Sequence, residues 1–599
     1  MHRHTLLQAG IAMSSARPLP AFGGGDDPPA PAPPPAPATS YAIRAERNVA
    51  IPVRNGTLVV ADIFRPDVAD GATFPVLITM GAYGKDALFK DFRADDWARM
   101  EMKSGEGALD YMNYETPLPD YWVPQGYVCV RCDQPGSGDS PGKLNVFGRE
   151  TQLAFYDAIE WAGTQRWSNG KVGILGDSYY AAIQWLVAQL QPPHLAAILP
   201  FGGFTDLYRD CVRHGGILSS AFVDNWYRTT VLAKQYGAPT GTSTVKLTAS
   251  QLAQNNSEDI RELLREDALL FATNEYFTER TPDLSKITVP VYAWANDDNL
   301  GLHLRGTIEG FLKAEAAPYR RLHTYAGLEP DTMYTWAAAD MHRRFFDHFL
   351  KGEDNGFETE PRVTVTVKKG GDAFATRTGN SYPLEQTSAQ KLYLDCGTKQ
   401  LLSSAPARPA TLSYRSAYGS AASLVRFSTP PLPADLELIG PMKLHLTMSA
   451  ADADADLFIA VREFMPDGQE VTTRGATPIS MGWQRASMRN ADPARSTTFR
   501  TWHTYDRSLL LARNAPVTLD INIWPAAWIV AGGNTLVVEI GGNEQKGMVT
   551  FTHPSVGPYS RDGVTPVNNN APPPTDVTLY SGGIDPSYLM MPVFLATTG

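Results

Sequence analysis

The pattern of apolar residues changes once along this 599-residue chain, near residues 352–356, and this change limits the possible folds most. From residue 41 to about 351, apolar strand-like runs alternate with helical patterns, which is typical of a mostly parallel sheet covered by helices. After the turn-rich stretch 352–356, only short alternating runs follow, and helical periodicity disappears. A chain of this length is also too long for one hydrophobic core. We therefore expect two large domains.

The first predicted domain, over 41–355, is an α/β domain with a doubly wound sheet of the α/β-hydrolase type. Between about 203 and 283 the sheet pattern stops, and a helical, polar-rich segment predicts a cap inserted over the site. The second, over 356–599, is an all-β sandwich or jelly roll. The strands predicted in the first domain are 57–64, 74–80, 126–132, 171–175, 195–200, 289–294 and 321–325, with helices over 152–165, 179–190 and 338–350.

Residues 1–40 are predicted to be an export leader followed by a linker. The chain begins with the basic segment Met1-His2-Arg3-His4, continues with weakly apolar residues over 6–16, and is almost entirely Pro and Ala over 28–37. The leader predicts an exported protein, periplasmic or extracellular; the alternative is a disordered tail on a cytoplasmic protein. No later apolar run approaches the ~20 residues that a membrane-spanning helix needs.

Charge and cysteine content exclude several classes of function. The net charge of −11 argues against a nucleic-acid partner, which requires a basic surface. Cys129 and Cys132 form a C-x-x-C, but they lie in a strand-like run, where positions three apart face opposite sides of the sheet. We therefore expect the four cysteines to be free thiols without a redox role, and the oligomeric state stays open.

The strongest local signal for chemistry is at residues 171–182, where an apolar strand ends in Gly-x-Ser and a helix begins at once. This is the context of a nucleophile elbow, with Ser178 as the nucleophile. The tight turn needs small neighbours, which Gly176, Ala181 and Ala182 supply, although Tyr180 stands where G-x-S-x-G has its last glycine. The alternative is a buried strand followed by an incidental serine N-cap.

A nucleophilic serine also needs donors for the oxyanion that forms on the substrate carbonyl. The backbone N–H of Tyr179, the residue after the nucleophile, is one candidate. The second is expected on the loop after an earlier strand, and the strand at 74–80 leads directly into Gly81-Ala82-Tyr83-Gly84-Lys85. Tyr83 could donate its phenol O–H, or it could be a packed loop aromatic.

The acid and the base are harder to place, because the usual chain order in this fold is nucleophile, acid and then histidine. The acid should follow a late strand, where Asp297 and Asp298 stand, and we predict Asp298. The histidine should follow the next strand, but residues 328–336 contain none. The candidates are then His323 within that strand and His342 on the final helix. We favour His342, because that helix begins near the edge of the site.

Several of these segments resemble the CocE/NonD hydrolases, the group of cocaine esterase and X-Pro dipeptidyl-peptidases. The resemblance extends from residue 46 to 594. It implies a serine hydrolase that cleaves an ester or amide bond, acyl or X-Pro-like dipeptidyl, through a Ser178 acyl-enzyme. Small esters, amides or short peptides would be its substrates, without a metal or cofactor. The matching segments are 176–185 at the elbow, 80–85 at the oxyanion tyrosine, 133–142, and the C-terminal stretches 382–394, 452–456, 485–487 and 582–583.

The same resemblance leaves two positions of the triad open. It places the acid position at Asn299 and the histidine position near Asp331, and it assigns His303 to the helix after the acid loop. Either the base has moved to His342 or His323, or the chain is a degenerate hydrolase kept for binding or weak activity. The Gly-rich stretch 135–142 lacks the Gly-Lys-Ser/Thr of a phosphate-binding loop. The alternating acids over 452–456 predict a polar strand start rather than a calcium site.

Overall fold

The computed structural model describes residues 40–595, apart from 70, 104–108, 242, 267, 418–422, 474–477, 545, 548–550, 554–555, 560–565 and 569–571. The predicted leader and most of the predicted linker therefore lie outside the described residues. Among the described helices, none combines the length and the apolar character needed to span a bilayer.

The N-terminal region is built on one twisted sheet whose central strands run parallel. Its strand order is β1-β2-β4-β3-β5-β6-β9-β10, with β1, β2 and β4 joined antiparallel and the later neighbours joined parallel. All seven predicted strands are present, whereas β1 and the short strands β7 and β8 were not predicted. The strands are β1 Ile43–Pro52, β2 Leu58–Pro66, β3 Phe74–Gly81, β4 Val128–Asp133, β5 Ser168–Asp177, β6 Leu195–Phe201, β7 Arg213–His214, β8 Ile217–Leu218, β9 Val291–Asn296 and β10 Arg320–Tyr325.

Helices cover both faces of this sheet, so its central strands are buried throughout. Every residue of β3, β4 and β9 is buried, as expected for strands covered on both sides. Cys129 and Cys132 are buried free thiols in separate apolar clusters. The helices are α1 Phe89–Phe92, α2 Ala94–Arg99, α3 Pro119–Trp122, α4 Arg149–Gly163, α5 Tyr179–Ala188, α6 Ser220–Trp226, α7 Ala249–Gln254, α8 Ile260–Arg265, α9 Glu275–Glu279, α10 Leu304–Lys313, α11 Glu329–Met333 and α12 Trp336–Phe346.

The segment between β6 and β9, which includes the predicted cap, contains the β7–β8 hairpin and only short helices. Helices α6 to α9 alternate here with π-helical turns at Tyr208–Val212 and Tyr227–Val231. The apolar residues of this segment pack against the main sheet: Val212, Val223 and Phe277 are fully buried in the same cluster as α5.

The C-terminal region is β-rich, as predicted. From β17 the strands run β23-β20-β18-β24-β16, and β13-β28 returns to β17, so the strands nearly close on themselves around an apolar core of their own. The strands are β11 Val363–Lys368, β12 Phe374–Gly379, β13 Thr387–Asp395, β14 Gln400–Leu402, β15 Ala410–Ser416, β16 Leu424–Ser428, β17 Leu436–Ala450, β18 Asp456–Phe464, β19 Glu470–Val471, β20 Ser480–Arg485, β21 Ala491–Asp492, β22 Trp502–His503, β23 Val517–Val530, β24 Thr535–Gly541, β25 Val556–Tyr559, β26 Pro566–Asn568, β27 Thr575–Ser581 and β28 Tyr588–Phe594.

The two regions are joined by main-chain hydrogen bonds. Strand β11, the first of the C-terminal region, pairs parallel with β10, the last strand of the N-terminal sheet. At the end of β11 the buried Lys368 donates to the Asp297 carbonyl at 3.1 Å and to Asp298 Oδ1 at 2.9 Å. The loop after β9 is therefore held from the C-terminal side.

Candidate active site

Ser178 lies at the sharp turn between β5 and α5. Its backbone has φ 55° and ψ −110°, a strained conformation for a residue with a side chain. The turn is possible because the backbone comes close to its neighbours: a Cβ at Gly176 would lie 2.4 Å from Tyr180 Cβ, and a Cβ at Gly203 would lie 2.6 Å from Ala181 Cβ. The predicted strand, turn and helix are all present, so the Ser178 side chain stands at the carboxyl end of the sheet.

The neighbour of the Ser178 hydroxyl is His303. Its Nε2 lies 3.3 Å from Ser178 Oγ. His303 is the N-cap residue of α10, just after the loop that follows β9, and only 2% of its surface is exposed. Because the His303 ring is buried, its orientation is fixed, and Nε2 faces Ser178 Oγ.

Glu329 holds the other side of the imidazole. Its Oε1 lies 2.6 Å from His303 Nδ1, which fixes the proton on Nδ1 and leaves Nε2 free to accept the serine proton. Asn299 supports both groups: its Nδ2 donates to Glu329 Oε1 at 3.0 Å, and its Oδ1 accepts from the His303 N–H at 3.2 Å. Serine, histidine and carboxylate therefore form one continuous line of hydrogen bonds.

The predicted base His342 is not beside Ser178. It packs among aromatic rings of strands β6 and β9. Its ring packs edge-on against Trp294, with centroids 4.8 Å apart, and against Phe201 at 5.7 Å. Burial lowers the pKa of His342 to about 3, and it lowers that of His323 likewise. His323 is stacked on Trp294 at 4.1 Å. The prediction that His342 or His323 replaces the missing histidine is wrong in position, because both rings belong to the aromatic packing around Trp294.

The predicted acid Asp298 is also directed away from the histidine. Its Oδ1 accepts from Lys368, and its Oδ2 accepts from the Gly327 N–H at 2.7 Å. Asp297 is buried, which raises its pKa to about 7, and it accepts from Thr324. These carboxylates tie together the loops after β9 and β10, so the carboxylate beside His303 comes from the β10 loop instead.

Tyr83 and Tyr179, which carry the two predicted oxyanion donors, are in contact with each other. Tyr83 follows β3, and its ring packs against Tyr179 at 5.4 Å and Tyr180 at 5.7 Å. Its phenol oxygen accepts from Trp226 Nε1 at 2.9 Å, which leaves the phenol hydrogen available to another acceptor. Burial raises the pKa of Tyr83 well above its usual value, so the phenol keeps its proton. The Tyr179 N–H begins α5 and so has no acceptor within the helix.

Two further carboxyl groups, from Asp177 and Glu115, lie near Glu329. Burial, followed by the charge of Glu329, raises the pKa of both Asp177 and Glu115 well above the usual range. Ligand atoms of Asp177, His303 and Glu329 all lie within 4.8 Å of one another, a spacing that a metal ion could also use. A metal on His303 Nδ1 would, however, displace the proton that this nitrogen shares with Glu329.

Sequence reasoning missed His303 and Glu329 because it fixed the order of acid and base along the chain. The loops after β9 and β10 lie side by side, since these strands are parallel neighbours. The first loop leads to His303, and the second carries Glu329 but no histidine. The sequence therefore did contain a signal. The loop after β10 lacks a histidine but carries Glu329, and the loop after β9 leads to His303, so the two loops exchange the roles of acid and base.

Comparison with known proteins agrees with this architecture. Residues 55–325 match the X-Pro dipeptidyl-peptidase (S15 family) domain, and residues 355–590 match the X-Pro dipeptidyl-peptidase C-terminal non-catalytic domain. The crystal structure of a CocE/NonD family hydrolase from Staphylococcus aureus superimposes with a TM-score of 0.79 at 27% identity, covering 92% of this chain and 94% of that one. The chain belongs to the CocE/NonD and S15 hydrolase family.

Among curated relatives of this CocE/NonD family member is a putative Xaa-Pro dipeptidyl-peptidase from Streptomyces avermitilis. It is 25% identical over 459 residues, which is 68% of this chain and 62% of the relative's length. A cocaine esterase from Rhodococcus is 30% identical over 180 residues, 30% of this chain and 27% of that protein. The chain thus matches less than two thirds of these relatives' length. The resemblance drawn from the sequence motifs is confirmed.

Proposed function

We propose that this protein is a serine hydrolase that cleaves an ester or an X-Pro-like amide bond through an acyl-enzyme on Ser178. The single observation that carries the proposal is the line of hydrogen bonds from Ser178 through His303 to Glu329. In this proposal the N-terminal sheet is an α/β-hydrolase domain with the 203–283 segment as its cap, and the C-terminal domain is a jelly roll. The strand order and the strained turn at Ser178 support this assignment.

In the proposed reaction, His303 acts as general base and then as general acid. As Ser178 Oγ attacks the carbonyl carbon, His303 Nε2 takes its proton, and the resulting imidazolium is stabilised by Glu329. The imidazolium then gives the proton to the leaving alcohol or amine, and the acyl-enzyme forms. A water molecule that loses its proton to His303 attacks this ester, and the returning proton frees Ser178 and the acid product.

The negative charge on the carbonyl oxygen would be stabilised by the Tyr83 hydroxyl and the Tyr179 N–H. Both groups lie in a buried environment, where a hydrogen bond to a developing charge is worth more than in water. The Trp226 N–H orients the phenol oxygen, so the Tyr83 hydrogen needs little rearrangement as the charge develops.

The walls around Tyr83 favour an apolar group on the substrate. Phe222 and Trp226 on α6 stack at 6.0 Å, and Phe551 from the C-terminal domain packs on Phe222 at 5.1 Å. These rings continue from Trp226, which contacts Tyr83. A group attached to the substrate carbonyl would therefore pack against aromatic side chains. An aromatic or aliphatic ester and an X-Pro amide both satisfy this chemistry.

The alternative of a degenerate hydrolase rested on the missing histidine near Asp331. That alternative loses its basis, because His303 and Glu329 supply an imidazole and a carboxylate at the serine.

The first prediction separates His303 from His342. A fluorophosphonate probe should label the wild-type protein, and Ser178→Ala should abolish labelling. His303→Ala should lower the labelling rate by at least ~10²-fold, since an unassisted serine is a poor nucleophile. His342→Ala is the matched control, because it removes a buried histidine that lies against Trp294 instead.

Folding of each variant would be checked by circular dichroism. Turnover of a p-nitrophenyl ester and of Gly-Pro-p-nitroanilide would then rank the two bond types. Labelling that persists in Ser178→Ala, or that is lost in folded His342→Ala and kept in His303→Ala, would contradict the proposed site.

A further inference from the structure

A cavity of about 520 Å³ lies between α10 and the C-terminal domain. One wall is the face of α10 that carries Ile308 and Leu312. The opposite wall comes from strands β20 and β23 and from the segment 497–503. Its described lining residues include neither Ser178 nor His303. The volume falls within the range of small-molecule sites in proteins, so the cavity is large enough for a ligand of its own.

Positively charged side chains converge on this cavity. Arg209, Arg305, Lys313 and Arg500 all line it, and each has only 14–35% of its side chain exposed. Arg209 pairs with Asp206 and Arg305 with Asp210. Lys313 and Arg500 share one carboxylate, that of Glu309. Lys313 Nζ lies 2.7 Å from Glu309 Oε2, and Arg500 pairs with Oε1. Two cations thus depend on a single buried anion.

Four cationic side chains line the cavity, against two lining carboxylates, the shared Glu309 and the exposed Glu315. Burial, then repulsion from Arg305 and Arg495, lowers the pKa of Lys313 to about 7. Burial, then Arg305 and Arg209, lowers the pKa of Arg500 to about 10. The buried Arg500 Nε has no hydrogen-bond partner among the described residues. A further anion at this place would offset the repulsion and give that donor an acceptor.

The other lining groups are aromatic. Trp483, Trp524 and Tyr382 face the cavity, and each is less than 10% exposed. Trp502 is already covered by cations: Lys313 Nζ lies 4.1 Å from its ring centroid, and Arg209 lies 4.5 Å from it. Flat apolar walls beside clustered cations and an arginine N–H without an acceptor match a ligand that combines a planar ring with a negative charge.

We propose that this interdomain cavity is a binding site for a small flat organic anion, of the aryl carboxylate class. The carboxylate would lie near Lys313 and Arg500, and the ring against Trp483 and Trp524. The site is separate from Ser178, and its existence does not depend on hydrolysis at that serine.

The test uses 1-naphthoate as probe, titrated calorimetrically into the full chain at pH 6, where Lys313 is protonated. We expect saturable binding of one equivalent. Lys313→Met and Arg500→Gln should each weaken it at least ~10-fold, which is the loss of one charge-assisted hydrogen bond. The matched control is Lys391→Met, because Lys391 also lies over an aromatic ring, with Nζ 3.9 Å from the Tyr588 centroid, but on the outer surface.

The neutral analogue 1-naphthamide tests the charge without any substitution. It should bind at least ~10-fold more weakly than 1-naphthoate. The proposal is overturned if 1-naphthoate does not bind, if the amide binds equally well, or if both charge variants bind the acid as tightly as wild type does. The last result would place the anion elsewhere on the protein.

Discussion

His303 stands at the N-cap position of α10, and its ring joins Ser178 to Glu329. The chain order is serine, histidine and then carboxylate, whereas the usual order in this fold places the histidine last. Geometry rather than order decides whether the three groups can work together. Parallel neighbouring strands make the exchange possible, since either loop can deliver either group to the same place.

At the residue scale, Glu329→Gln should remove the charge that stabilises the imidazolium while it keeps the side-chain shape. We expect kcat to fall by roughly 10⁴-fold, the loss known when the triad acid is changed to its amide. Asp331→Asn is the matched control, because Asp331 lies two residues further along α11 and pairs with Arg99 instead. Steady-state kinetics on one ester would measure both. Equal activity of Glu329→Gln and wild type would remove Glu329 from the mechanism.

Tyr83→Phe deletes one hydroxyl from a buried ring. The variant should fold normally but lose on the order of 10²-fold or more in kcat, as expected when one oxyanion donor is removed. The comparison variant is Tyr180→Phe, because Tyr180 packs against Tyr83 and is also buried. An unchanged kcat in Tyr83→Phe would reduce this tyrosine to a packing residue.

At the scale of elements, three chain segments bring carboxyl groups close together. Glu115 lies before α3, Asp177 ends β5, and Glu329 begins α11. Glu115 and Asp177 keep their protons to higher pH than in the unfolded chain, because burial and Glu329 raise their pKa. The folded state therefore binds more protons than the unfolded state above the unfolded pKa of about 4.3. Its stability should fall as pH rises from there.

Glu115→Gln should remove the part of this fall in stability that comes from Glu115, and the part that comes from Asp177 should remain. Near pH 4 both states of the wild type hold the proton, so the variant and the wild type should have similar melting temperatures. Towards pH 8 the variant should become the more stable of the two, because Gln has no proton to lose. Glu353→Gln at an exposed position is the control and should show no such trend. A constant difference from pH 4 to pH 8 would contradict the raised pKa.

Sequence periodicity predicted the long elements well, for a clear physical reason. Strands such as β3 are continuous apolar runs because both faces are covered, and α5 is apolar all round because all its residues are buried. Strand β1 was missed because most of its residues are at least partly exposed. The placement of His303 and Glu329 was missed because it depends on contacts between two loops, which no local pattern records.

At the scale of the whole molecule, the two domains should not behave as independent units. Strand β11 extends the N-terminal sheet, and Lys368, with 1% of its side chain exposed, holds Asp298 in the loop that leads to Asn299 and His303. The C-terminal domain therefore stabilises the part of the chain that carries the proposed base.

Lys368→Met should lower the unfolding free energy by about 3–5 kcal/mol, because it leaves Asp298 without its cation. It should also lower kcat, since the loop before His303 loses a fixed point. Lys369→Met changes the exposed neighbour and should alter neither quantity. Calorimetry and ester turnover would measure the pair. Loss of stability with full activity would show that the loop keeps its position without Lys368.

The bond between Asp298 and Lys368 also bears on how the protein is made. The two residues are 70 positions apart, and translation at about 5–20 residues per second separates their synthesis by roughly 4–14 s. During that interval a nascent chain already contains Ser178 and His303, but the loop beside them lacks its anchor from the other domain. Full hydrolytic competence should therefore arise late in biosynthesis, so that an incomplete polypeptide on the ribosome is a poor catalyst.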